Sequence, residues 1–173
     1  YGFVSINYRL LNKDIDFEKQ VSDVYDALNW VKKNSTKYNL DLKNVGVMGE
    51  SAGAHLALLL AYSDVEKKDI NFKYVLDVFG PTDLNKIFKT RASWFVTTLF
   101  KMFKPKIFKL RNDILSYMTL QDITKNKSKV IEKASYYSPI NYIDATDTTP
   151  VLILHGNKDK IVAYNQSVSL DAK

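Results

Sequence analysis

Residues 44–61 read Asn-Val-Gly-Val-Met-Gly-Glu-Ser-Ala-Gly-Ala-His-Leu-Ala-Leu-Leu-Leu-Ala. The stretch Asn44–Gly49 is a short apolar run bounded by polar residues, which predicts a buried strand. Ala52 to Ala61 is dense in Ala and Leu with no Gly or Pro after Gly53, which predicts a buried helix. Between them lies Gly49-Glu50-Ser51-Ala52-Gly53, a G-x-S-x-G pentapeptide in a strand–turn–helix setting. A strand that turns this sharply into a helix holds Ser51 at the apex in a strained backbone conformation. Small residues are expected at 49 and 53, because side chains there would press on neighbouring elements. The bend would expose the Ser51 hydroxyl and place the Ala52 N–H where a tetrahedral oxyanion forms. The plainer alternative is a glycine-flanked turn without chemistry.

The same alternation continues outward. Gly2–Tyr8, Tyr74–Phe79 and Val151–Leu154 are short apolar runs that predict strands, the second halted by Gly80-Pro81 and the last entered from Pro150. Phe17 to Asn34 carries Val21, Val24, Tyr25, Leu28 and Val31 at helical spacing, and Tyr164–Leu170 starts another helix. Strands alternating with helices, with near-continuous apolar strands, predict an α/β fold: a mostly parallel, doubly wound sheet covered by helices on both faces. Ligands in such sheets bind beyond the carboxyl ends of the strands, which directs attention to Glu50-Ser51, Pro81–Asp83 and Asn157–Asp159.

A serine needs a base, usually a histidine oriented by a carboxylate. In this fold the order along the chain is Ser, then Asp or Glu, then His. Asp159, in the turn His155-Gly156-Asn157-Lys158-Asp159 after the last strand, is the expected acid; its plainer reading is a turn or helix cap. Asp83 is a second candidate that better suits capping after Gly80-Pro81-Thr82. The chain has two histidines, His55 and His155, and neither follows Asp159. His55 lies one turn into the buried helix and His155 is expected to pack under the acid's turn. Both read as structural, which leaves the chain without a base of its own.

Composition excludes other classes. The 173 residues are 46% hydrophobic and 25% charged, the balance of a globular core rather than of disorder or a coiled coil. No apolar run is long enough to span a membrane. With no cysteine there is no disulfide and no thiolate chemistry. No cofactor and no metal site is expected. The charge is uneven: Leu84 to Lys133 holds ten Lys and two Arg against Asp113, Asp122 and Glu132, a net of +9 that leaves −3 for the rest. This segment also carries Trp94, Phe95, Leu99, Phe100, Met102, Phe103, Ile107 and Phe108, and it interrupts the alternation. The expected organisation is therefore core at 1–83, a basic aromatic helical insertion acting as a lid at 84–133, and core again at 134–173. A helical pair that simply packs its aromatics onto the body is the second reading, and membrane-surface contact by the insertion is the least. Nucleic acid is not expected as a partner, since the excess is lysine and no binding motif accompanies it. Asn34, Asn126 and Asn165 match the glycosylation pattern, as expected by chance in an Asn-rich chain. Compartment and oligomeric state are not legible.

Gly2-Phe3-Val4-Ser5-Ile6-Asn7-Tyr8-Arg9-Leu10, Gly49 to Ala57, Phe79-Gly80-Pro81-Thr82-Asp83-Leu84, Ser138-Pro139-Ile140 and His155 to Asp159 together resemble the α/β-hydrolase fold. Within it they are most similar to feruloyl/acetyl-xylan esterase-like carboxylesterases, near the hormone-sensitive-lipase-like and kynurenine-formamidase-like groups. The resemblance implies Ser51 as nucleophile, Ala52 as an oxyanion N–H, Asp159 as acid, and a small-molecule ester as substrate. It also implies a His-Gly-Gly loop that would lie before Tyr1 and a catalytic His beyond Lys173. The strand bearing that loop would sit between Gly2–Tyr8 and the strand of residue 47, so its absence would leave a gap in the sheet. The expectation is a fragment, nearly inactive alone. An amide-cleaving relative (formamidase or peptidase) and a non-catalytic module binding through the basic insertion remain as alternatives.

Overall fold

A computed structural model describes residues 2–63, 70–87 and 113–173. Most of the basic aromatic insertion, residues 88–112, lies outside the described residues, and with it the lid expectation.

Three strands form a parallel sheet in the order β1 (Gly46–Glu50), β2 (Tyr74–Val78), β3 (Val151–Leu154). The register sets Gly49 beside Asp77 and Asp77 beside Ile153, while Glu50, Val78 and Leu154 align at the carboxyl ends. The loops that follow the three strands therefore emerge side by side. Pairing continues beyond the strands: the Ser51 amide donates to the Val78 carbonyl (2.9 Å) and the Phe79 amide to the Leu154 carbonyl (2.7 Å).

Helix α1 (Phe17–Tyr38) starts at Asp16, whose carboxylate accepts from the Lys19 amide. It runs past the expected Asn34 and ends at Asn39, left-handed at φ 52°, a conformation Asn tolerates. Its first half buries Phe17, Val21, Val24, Tyr25 and Leu28, the period-3.6 stripe read from the sequence. Helix α2 (Ala52–Tyr62) is apolar all round and is buried from Ala54 onward, as expected for a helix held between sheet and outer layer. Leu58 and Leu59 are at most 1% exposed, and burying each contributes about 1.5–3 kcal/mol. Val75 and Asp77, on the α2 side of the sheet, are fully buried.

Two expectations change. The first is Gly2–Tyr8, which forms no strand: among the described residues it joins no ladder, and Phe3 is 78% exposed. Its β-branched and aromatic residues favour extended backbone, but no described strand offers it a ladder. The second is the covering of the sheet. Met48, Tyr74, Leu152 and Leu154, all on the face opposite Val75 and Asp77, are about half exposed. Among the described residues, helices cover one face of the sheet and not both.

Candidate active site

Ser51 follows β1 directly and caps α2 with φ 51° and ψ −118°, a conformation costly for a residue with a Cβ. It is held there from both sides. Its amide is the last rung to β2, and its carbonyl accepts from the His55 amide at 3.1 Å, the first turn of α2. Ser51 is half-buried, and among the described residues its hydroxyl makes no hydrogen bond. Ala52 and Gly53 open the helix, so their N–H groups have no partner within it and point with the helix dipole toward the hydroxyl's end.

The steric expectation for the two glycines divides. A Cβ on Gly49 would lie 2.3 Å from the Gly53 carbonyl carbon and 2.6 Å from the Ala54 nitrogen. These are backbone atoms that cannot yield, so glycine is obligatory at 49. A Cβ on Gly53 would meet nothing within 4 Å, which corrects the expectation for that position. The bend folds the carbonyl of 53 beneath 49, so the crowding falls on 49 alone. Glu50 is exposed at the end of β1.

Asp159 lies on the loop after β3, with its side chain 23% exposed. Its Oδ1 accepts from the Ile161 amide (2.7 Å) and the Val162 amide (3.1 Å), and Oδ2 stands 3.5 Å from His155 Nε2. The Ile161 amide above all holds the carboxyl below its ordinary range, so it is ionised at neutral pH. Ser51 and Asp159 follow the two outer strands of the three, on the same edge of the sheet, and no hydrogen bond joins them. Asp83 accepts from the Lys86 amide and pairs with the Lys86 ammonium, the capping role expected of it.

Both histidines are buried away from the Ser51 hydroxyl. His55 is 2% exposed, and its Nδ1 bonds the Pro81 carbonyl. Burial pushes its pKa down to about 4, so it is neutral at pH 7. Among the described residues its Nε2 has no hydrogen-bond partner. The His155 side chain is 1% exposed and is spent on the Ser167 hydroxyl and the Val162 carbonyl.

Three features were not read from the sequence. Asp77, fully buried on β2, accepts from the Gly80 amide through Oδ1 and leaves Oδ2 unpaired; burial raises its pKa. A Cβ on Gly80 would press on this Oδ1 and on Ala54, so Gly80 lets the loop after β2 fold over the carboxyl. Phe79, between them, has φ 46°, a rare conformation for a bulky residue. Gln166, 2% exposed, accepts through Oε1 from the Thr82 and Asp83 amides (2.8 and 2.7 Å) and from the Thr82 hydroxyl, and donates through Nε2 to the Asp83 carbonyl. No signal in the sequence marks Gln166, which lies in the mostly polar helix Asn165–Asp171.

The family model described as BD-FAE matches residues 1–173, the whole chain. The chain belongs to the BD-FAE family. It is 28% identical over 177 aligned positions to the esterase LipQ of Mycobacterium tuberculosis, covering 98% of this chain and 37% of LipQ. It is 42% identical over 72 residues to the arylacetamide deacetylase of Oryctolagus cuniculus, covering 40% of this chain and 18% of that one. A solved truncated form of a carbohydrate esterase from gut microbiota superposes with a TM-score of 0.67 at 23% identity, over 97% of this chain and 59% of that one. That likeness carries the fold alone: this BD-FAE chain has the α/β-hydrolase fold. It spans well under half the length of the curated relatives it matches.

Among the described residues of the BD-FAE chain, no group of three or more His, Cys, Asp or Glu could hold a metal ion, and no helix is long and apolar enough to cross a membrane. An open hollow of about 480 Å³ lies between the N-terminal stretch and α1, lined by Asn7, Tyr8, Arg9, Asp23 and Asp26. None of the strand-end residues lines it, and Arg9 is committed to Asp23 at 2.6 Å.

Proposed function

We propose that this chain carries the nucleophile and the acid of a serine ester hydrolase. The observation that carries the reading is Ser51: strained, held by β2 on one side and α2 on the other, its hydroxyl without a hydrogen bond among the described residues, at the N-terminus of α2. In this reading the Ser51 oxygen attacks an ester carbonyl while its proton passes to an imidazole. The Ala52 N–H stabilises the oxyanion, the alcohol leaves, and water releases the acyl group from Ser51. Asp159 would hold the imidazole in its productive tautomer. Neither His55 nor His155 is free for that work, so the base comes from outside residues 1–173. Loss of a triad base typically costs on the order of 10⁶-fold in turnover, so the 173-residue chain alone is expected to be nearly inactive.

Small-molecule esters are the proposed substrates. Membership of the BD-FAE family and the carbohydrate esterase neighbour support acetyl or feruloyl esters of carbohydrates. The arylacetamide deacetylase relative favours a second reading, in which the same serine cleaves an acyl–nitrogen bond. The test is a panel of p-nitrophenyl acetate, methyl ferulate, acetylated xylan and N-acetyl arylamines, offered to the chain expressed with any sequence its gene encodes on either side. Ester turnover lost with Ser51→Ala is expected. Turnover that survives Ser51→Ala overturns the proposal, and cleavage of arylamides alone decides for the second reading.

A further inference from the structure

We propose that His155 is a positioning residue for Asp159, locked in its Nε2–H tautomer by Ser167 so that its one ring proton faces the acid's loop. The inference rests on Asp159 being the acid of the reading above. The ring is sealed from solvent, and each nitrogen has its own partner. Nε2 stands 2.9 Å from the Val162 carbonyl and 3.5 Å from Asp159 Oδ2. Both are acceptors, so Nε2 must carry a proton. Nδ1 stands 2.6 Å from the Ser167 hydroxyl, which can donate to a bare ring nitrogen. Each ring nitrogen then has a partner.

The lock has an anchor. Ser167 sits next to Gln166, which grips both Thr82 and Asp83 and so fixes the first turn of the terminal helix (Asn165–Asp171) to the loop after β2. One helical turn thereby ties the loop after β2 to the loop after β3. Val162 completes the frame: its carbonyl takes the His155 proton while its amide donates to Asp159 Oδ1. A shift of His155 therefore moves the residue that holds the carboxylate. The other groups facing the ring are Asp77 from β2 and the aromatic edges of Phe79 and Tyr164, none of which offers Nδ1 an alternative partner.

The two histidines make the test clean. His55 bonds the Pro81 carbonyl through Nδ1, so it must be the opposite tautomer. Nitrogen-15 NMR of the chain carrying its gene-encoded flanks should show His55 as an Nδ1–H imidazole and His155 as an Nε2–H imidazole. The His55→Asn variant assigns them. Ser167→Ala should release only the His155 tautomer and speed hydrogen exchange at the Ile161 and Val162 amides. His155 found as Nδ1–H, or averaging between tautomers in the unaltered chain, overturns the proposal whatever Ser51 does. In the chain carrying its gene-encoded flanks, His155→Leu should lower kcat on p-nitrophenyl acetate about 10–100-fold with little change in KM. His155→Gln, whose amide can replace the Nε2–H, should recover most of it. Equal loss in both variants, or no loss in either, contradicts positioning; loss of activity with Ser51→Ala independently sustains the esterase reading.

Discussion

The Ser51 amide donates to the Val78 carbonyl at 2.9 Å, so Ser51 is still a rung of the sheet at the residue where its own backbone turns left-handed. The strain at φ 51° is thus carried by the β1–β2 ladder below and by α2 above. Rigid elements on both sides hold the hydroxyl in one place, which a loop could not do.

Gly49 and Gly53 should respond differently to the same change. Gly49→Ala drives a methyl into the Gly53 and Ala54 backbone and should destabilise by at least about 1–3 kcal/mol. Gly53→Ala meets no atom within 4 Å and should be neutral or stabilising by up to about 1 kcal/mol, since alanine favours the helix. Urea unfolding of the two variants checks both; equal costs would contradict the bend described here.

His55 sets an acid limit on stability. Its folded pKa of about 4 lies below the unfolded value near 6.5. The unfolded chain therefore binds more protons between those values, and stability falls as pH drops from about 6.5 to about 4. The contribution at stake is on the order of 3 kcal/mol. Unfolding curves at pH 4.5 and 7 should converge in His55→Asn relative to the unaltered chain. An NMR titration placing His55 near 6.5 would contradict its burial.

Asp77 acts in the opposite sense. Burial raises its folded pKa, so the native state holds the proton longer and the carboxyl's contribution weakens as pH rises above the ordinary carboxylate range. Asp77→Asn keeps the acceptor for the Gly80 amide and removes that dependence. Its stability relative to the unaltered chain should improve between pH 4 and 7, and an unchanged difference would place the Asp77 carboxylate in solvent.

Gln166→Leu keeps the volume and removes the acceptor shared by the Thr82 and Asp83 amides. The buried Thr82 N–H is left unpaired, at about 1–3 kcal/mol, and the half-buried Asp83 N–H loses its partner as well. Gln166→Glu retains the acceptor and should cost less. A leucine variant as stable as the parent would mean that these loops are fixed some other way.

The turn was legible because its determinants are local. A strand, a helix and small residues within 18 positions specify Ser51 and Gly49, and α2 and β3 follow from continuous apolar runs. What escaped the reading depends on distant partners. Gly2–Tyr8 has strand-like residues but no strand beside it, and pairing is not a property of one segment. Gln166 finds Thr82 across 84 positions, and nothing in a single sequence marks such a pair. Asp77 is an acid amid apolar neighbours, visible as an anomaly but without its Gly80 partner. Gly53 departs from the expectation because the bend is not symmetric: the backbone of 53 and 54 crowds 49, while a Cβ at 53 meets open space.

The most direct test of the central claim is a fluorophosphonate ester, which forms a stable adduct with an activated serine, applied to the chain with its gene-encoded flanks and read by peptide mass spectrometry. One adduct is expected, on the peptide containing Ser51, and none in Ser51→Ala. An adduct on a different residue, or no adduct while ester turnover proceeds, would contradict it.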